Sequence, residues 1–366
     1  MAYIHFLAYV FQMEKYYFDK ASYDDLYNCS RYTPEQWHDF GVPNKVIGVL
    51  YTLVGVMYEV LYFPCLYTMS SYKFLKLSCY KIMFFLGIID MACIFINSIL
   101  AGYFAWHGNT FCDHQELMYI SGSISTGLWC AACMACMMLA MNRCCDLLKP
   151  DWMETLFSGW RTYLWLLAPT LYGSYFIVFT PPLIFTSVYD GAFFDPFVGT
   201  PISDKERVKY TSWPHTINNV IVIVVLCTAY SCICVYVCIK ARPTMGGHRS
   251  TGMNALQKQI IAQATLICML ILIAASVYVR MQFAETSSYM VIVGQITWQS
   301  SHGGTVFIYL FLNRSMRNEI RNTFLPKCLT KRKAVTTTTT PYKTTPNVNM
   351  TFSSKDTNTM GSAVMF

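Results

Sequence analysis

From Leu117 to Met141 the chain runs 25 residues without a charged side chain. As a helix rising 1.5 Å per residue, that run is long enough to cross the roughly 30 Å hydrocarbon core of a bilayer. Arg143 arrives where such a helix would leave the membrane, with Lys149, Asp151 and Glu154 close behind. An Arg in that place has two readings. It is a snorkelling anchor for the helix end, or a switch: a guanidinium held inside a helix bundle until a partner protein competes for it. Which one holds depends on how many other spans surround it.

Six further apolar stretches answer that. With the first they fall at about 45–69, 79–104, 116–142, 160–184, 215–240, 258–283 and 287–312, each long enough to span with some tilt. The seventh is the most dilute, because Gln295, Gln299, His302 and glycine interrupt it. Composition agrees: 54% of the 366 residues are hydrophobic and 13% charged, about half the charge of a soluble domain. Eight Trp, 26 Tyr and 24 Phe suit aromatic belts at two interfaces. The apolar piece Ala2–Phe11 lacks a basic leader and a small-residue cleavage site and is not read as a signal peptide. The expected fold is an all-α membrane protein, a bundle of seven transmembrane helices.

Charge sets its direction. Lys15, Lys20, Arg31, Lys45, Lys205, Arg207, Lys209 and Arg280 are the eight basic residues on the side of the amino end, and the other 19 lie opposite. The richer side is cytoplasmic by the Lys/Arg rule, which puts the amino end outside. The net charge of +7 is then mostly an inner-face property, suited to anionic lipid and a cytoplasmic partner, and calls for no nucleic acid. Residues 1–43 form an extracellular segment in which Asn28-Cys29-Ser30 is a glycosylation sequon. Residues 44–325 hold the spans and a short helix near 314–325 whose Met316, Ile320 and Phe324 share one face, as on an inner leaflet. Residues 326–366 form a cytoplasmic tail expected to be disordered. In it, Cys328 beside Lys327 is the palmitoylation candidate, and Thr336 to Thr340 form either a phosphorylation cluster or a solvated linker.

Sixteen Cys in such a chain are mostly small packing residues. Cys130, Cys133 and Cys136 drift around a helix with no His or carboxylate among them, so no metal or other cofactor is expected. Only Cys29 and Cys112 fall outside the bilayer on the oxidising side, which predicts one disulfide. Asp90 lies near the middle of the second span with Asn97 on the same face. It is read either as a polar centre that changes between states or as a protonated packing group. In the outer half, Tyr119, Ser123, Asn218, Asn219, Gln282, Gln295, Trp298 and His302 are candidates to line a pocket, each equally able to glue helices together.

The run Leu61-Tyr62-Phe63-Pro64-Cys65-Leu66 is followed by Ser78-Cys79-Tyr80-Lys81, Gly87-Ile88-Ile89-Asp90 and Leu139-Ala140-Met141-Asn142-Arg143-Cys144. With Tyr27-Asn28-Cys29-Ser30, this set resembles the nematode serpentine receptor class T chemoreceptors, within the rhodopsin-like G-protein-coupled receptors. The resemblance implies a chemosensory receptor of the plasma membrane, in sensory cilia, with a small-molecule ligand outside and a heterotrimeric G protein inside. It assigns the switch to Arg143, Asn142, Asp146, Asp90 and Tyr309. Departures are clear: Asn142 stands where an acid usually holds the Arg, Thr305-Val306 replaces Asn-Pro, and loop 185–214 has no Cys. A receptor-like scaffold that does not signal would tolerate these. A ligand-gated channel with its amino end inside is opposed by the charge count. A metallohydrolase would need clustered ligands, and the seven His are scattered over tails, loops and helix ends, so no enzyme is expected.

Overall fold

The computed structural model describes residues 20–148, 155–203, 210–241, 255–283 and 287–324. The tail, with Cys328 and Thr336 to Thr340, lies outside the described residues.

Among the described residues, six helices are long and apolar enough to cross a membrane: Lys45–Met69, Ser78–His107, Gln115–Leu147, Arg161–Phe179, Trp213–Ile239 and Lys258–Phe283. A seventh is built in two pieces, Ser288–Gly303 and Thr305–Leu312, which meet at Gly304. The first span shows why these helices form and how they face. Asn44 caps it by accepting from the Ile47 amide. Tyr51, Gly55, Tyr58, Tyr62 and Cys65, spaced by three and four, are buried on one face, while Val46, Leu53 and Val60 are 63–78% exposed on the other. A helix apolar on both its packed and its open face belongs in lipid.

The third span is the hub. It packs against the second, fourth, fifth and sixth, and carries Trp129, Cys130, Ala132, Cys133, Ala135, Cys136, Leu139 and Ala140 in the buried core. Two glycine pairs set the closest approaches. A Cβ on Gly48 or Gly102 would come within 2.8–2.9 Å of the other span's backbone, so the first and second spans meet main chain to main chain. Gly127 and Gly173 do the same for the third and fourth, each holding the space beside the other's carbonyl oxygen at 2.5 and 2.8 Å.

Two departures from the sequence expectation matter. The fourth span stops at Phe179 rather than near 184, because Pro181 and Pro182 supply no amide for another helical turn. The chain then turns into an antiparallel hairpin, β1 (Ile184–Thr186) and β2 (Gly191–Phe193), paired Ile184↔Phe193 and Thr186↔Gly191, which lies across the outer end of the bundle. In the second span the helix widens into a π turn at Phe95–Leu100. At the inner end Asn313 caps the next helix, accepting from the Met316 amide at 3.0 Å. That helix, Arg314–Phe324, buries Met316 and sets Phe324 against Phe63 and Tyr67 of the first span.

Candidate functional site

Several of the polar groups that the spans bury line a seam between the second and seventh spans. Asp90 and His302 are almost fully buried, with His302 Nδ1 2.8 Å from Asp90 Oδ1. Tyr62 Oη, from the first span, lies 2.7 Å from Asp90 Oδ2 and 2.9 Å from the His302 carbonyl oxygen. One phenol proton thus faces two acceptors, and Asp90 has a partner on each of its oxygens. About two turns outward, the π turn leaves the Asn97 carbonyl open to the seventh span. Gln295 Nε2 and Gln299 Nε2 both donate to it, at 2.8 and 3.0 Å. Inward, Asn313 Nδ2 donates to Tyr80 Oη at 2.6 Å, and the fully buried Tyr309 stacks edge-on to Tyr62.

A second set joins this seam to the rest of the bundle. Trp129 Nε1 donates to Asn219 Oδ1 at 2.9 Å, Asn218 Nδ2 donates to the same oxygen at 3.1 Å, and Tyr172 Oη donates to Asn218 Oδ1 at 3.1 Å. The Trp129 ring stands 5.9 Å from the His302 ring. Third, fourth, fifth and seventh spans therefore meet around one tryptophan.

At the inner end Arg143 is buried, its side chain 5% exposed, and its Nη2 sits 2.8 Å from Asp146 Oδ2. The same nitrogen donates to Asn142 Oδ1, while Asn142 Nδ2 donates to Ser78 Oγ at 2.9 Å. Asn142 thus bridges Arg143 to the second span by neutral hydrogen bonds, and the acid one turn on supplies the charge. Asp146 is half exposed, so its hold on the guanidinium is weaker than a buried acid's.

The outer end is roofed. Cys29 and Cys112 form a disulfide that fixes the amino-terminal segment to the entrance of the third span. Tyr23 and Tyr27 pack edge-on to Tyr119, Gln115 Nε2 donates to the Tyr27 carbonyl at 2.8 Å, and Trp37 Nε1 donates to the Cys29 carbonyl at 2.6 Å. Asn28 is exposed, its Oδ1 accepting from the Ser30 amide and hydroxyl at 2.8 and 2.6 Å. Asp190, between the hairpin strands, accepts from Asn44 Nδ2 at 2.6 Å, and its carbonyl accepts from Tyr51 Oη at 3.0 Å. Burial pushes its carboxyl up to about 6, with the Asn44 amide pulling the other way.

Among the described residues, two of the cavities lie beneath this roof. The deeper, between Asn97, Ser125, Gln295, Trp298 and the hairpin, holds only about 20 Å³, the room of a single water. The larger, about 350 Å³, opens between the hairpin loop and the outer ends of the sixth and seventh spans.

The eight pocket candidates are therefore divided. Gln295 and Trp298 line the small cavity and Gln282 the large one. Tyr119 belongs to the roof, and Ser123 is buried on the third span. Asn218 and Asn219 tie helices together, and His302 belongs to Asp90. Tyr62, Trp129, Tyr172, Gln299 and Asp190 carry as much of the network as the residues singled out in the sequence. Tyr62 stands in the Leu61–Leu66 motif and was visible there; the others become polar partners only once spans far apart in sequence are folded together. Among the described residues no group of three or more His, Cys, Asp or Glu is placed to hold a metal.

Comparison with known proteins places this architecture. A crystal structure of squid rhodopsin superposes with a TM-score of 0.58 over 82% of this chain and 88% of that one, at 14% identity, a likeness of fold alone. Serpentine receptor class T-55 of Caenorhabditis elegans is 27% identical over 297 residues, covering 80% of this chain and 78% of the relative. The family model of the serpentine-type seven-transmembrane G-protein-coupled chemoreceptor Srt matches residues 12–333. Seven membrane helices, an Arg at the inner end of the third and a match over most of the length make one conclusion: this chain belongs to the Srt family of serpentine G-protein-coupled chemoreceptors.

Proposed function

We propose that this protein is a chemosensory receptor of the plasma membrane that binds a small extracellular molecule in the outer half of its bundle and signals to a heterotrimeric G protein. The observation that carries the reading is a column of buried polar residues along the second and seventh spans. Gln295 and Gln299 meet on Asn97, then Asp90 meets His302 and Tyr62, the Tyr62 ring packs on Tyr309, and Asn313 meets Tyr80 near the inner end. A ligand that shifts the seventh span must rearrange contacts that end beside the inner surface, which is what coupling between two sites requires. On that surface Arg143 is the transducer contact, held at rest by Asp146 and Asn142. The basic helix at Arg314–Phe324, with Arg314, Arg317 and Arg321, rests on anionic lipid of the inner leaflet.

The test is G-protein nucleotide exchange in membranes from cells carrying the receptor, screened against small environmental molecules. Arg143→Ala should abolish both basal and stimulated exchange while surface expression stays unchanged. Normal coupling in Arg143→Ala would leave that Arg a membrane anchor. A non-signalling scaffold is the second reading, favoured specifically by Asn142 in place of an acid, and it is upheld if no exchange is seen in the wild type.

A further inference from the structure

We propose that the cleft between Gln295 and Trp298 is a built site for a single bound water, and that this water braces the joint of the second and seventh spans beneath the hairpin. The inference stands apart from the receptor reading above and needs no signalling to hold.

Two atoms carry it. Gln295 Oε1 and Trp298 Nε1 are buried, and neither has a hydrogen-bond partner among the described residues. Both residues line the cleft, and they are 1% and 3% exposed. They stand three apart on the helix Ser288–Gly303, which puts them on one face. The pair is complementary, because an indole N–H can only donate and an amide oxygen can only accept. The glutamine cannot turn its amide over to escape. Its Nε2 donates to the Asn97 carbonyl at 2.8 Å, and a flip would set oxygen against oxygen. One small molecule that both accepts and donates answers the two atoms at once.

The third span supplies the remaining bond. Ser121 Oγ and Ser125 Oγ, on the same cleft, donate to carbonyls of their own helix, Met118 at 3.3 Å and Gly122 at 3.0 Å, and keep lone pairs with which to accept. A water accepting from Trp298 and donating to Gln295 and to one serine makes three bonds, the usual number for a buried water. Volume sets the occupant. About 20 Å³ admits one water, which needs about 10–15 Å³, and falls far below the roughly 300 Å³ of a small-molecule site. A cation is opposed by the indole N–H, and among the described residues no carboxylate lines the cleft to attract one. Gln295 grips the π turn through Asn97, Trp298 meets Tyr278 of the sixth span edge-on at 6.2 Å, and Leu183, Phe185 and Ala192 border the cleft from the hairpin and its entry. The water therefore holds Gln295 in the orientation that the π turn uses.

The experiment uses the full-length receptor in lipid nanodiscs and X-ray radiolysis, which makes hydroxyl radicals from water where it stands and so oxidises a buried side chain beside a bound water. Met118, 1% exposed and on the cleft, is the reporter; Met83, fully buried and lining neither outer cavity, is the control. Sulfoxide at each is read by mass spectrometry against dose. In the wild type Met118 should oxidise with dose and Met83 should not. Gln295→Leu and Trp298→Phe each remove one partner of the water, and each should lose most of the Met118 signal. Gln299→Leu separates the site from the π turn: Gln299 donates to the same Asn97 carbonyl but does not line the cleft, so Met118 should oxidise there as in the wild type. Variants are compared as folded receptor, checked by melting temperature, and the wild type alone already tests the site through Met118 against Met83. Met118 unlabelled in the wild type, or labelled no faster than Met83, overturns the proposal. Labelling that survives both Gln295→Leu and Trp298→Phe, or that falls equally in Gln299→Leu, overturns it as well.

Discussion

Asn142 and Asp146 set how tightly Arg143 is held, and the geometry gives each a direction. Asp146 is half exposed, so solvent screens the pair toward the roughly 0.2–1 kcal/mol of a surface ion pair, and losing Asp146 should raise ligand-independent signalling by up to about fivefold. Asn142→Asp adds a second acid beside the buried guanidinium and should lower it. Basal nucleotide exchange, normalised to surface receptor, reads both. Asp190 is the other residue whose chemistry carries a consequence. Its folded carboxyl titrates near 6, above the ordinary 3.8, so the folded state keeps the proton over that window and the unfolded state does not. The stability it contributes is full below about 3.8 and is lost as pH rises through about 6. The melting temperature of the purified receptor should therefore fall between about pH 4 and 6 and level off above, and Asp190→Asn should flatten that slope.

Between elements, the decisive joint is the π turn of the second span. A main-chain oxygen has two lone pairs, and Gln295 and Gln299 take both on Asn97. Each neutral bond is worth about 1 kcal/mol net, and leaving the carbonyl with no donor costs more. Gln295→Leu and Gln299→Leu should each be mild, while the double variant should lose more thermal stability than their sum. None of this was legible beforehand. Periodicity and length locate the seven spans, with the fourth ending early at Phe179, but the π turn meets its partners about two hundred residues away. The same holds for His302: its depth along the seventh span suggested a pocket, and only the fold brings it to Asp90, 212 residues off. The hairpin escaped notice because Leu183, Ile184 and Phe185 read as the end of an apolar span, although Pro181-Pro182 marked the true stop. The Cys29–Cys112 pairing needed less, since topology left two thiols on the oxidising side.

As a whole molecule the chain presents a roofed outer face and a basic inner one. Asn28 stands exposed on that roof, so it should carry glycan, read as a glycosidase-sensitive shift that vanishes in Asn28→Gln. A tail accessible to protease from outside would invert the topology. Cys29→Ala should loosen the roof; closing an 83-residue loop contributes up to about 4 kcal/mol. The glycine pairs carry a further consequence. At Gly48–Gly102 and Gly127–Gly173 the two backbones approach so closely that an added Cβ would strike the partner's main chain, with Thr52 and Ile177 packed beside them. The first four spans therefore pair off as two close-packed blades. The fifth span, with the smallest buried share of the six, is where a change of shape costs least. In mechanical terms the receptor has a stator and a swing arm, and the third span, which belongs to the stator yet touches the arm along its length, is the bearing on which Arg143 is mounted.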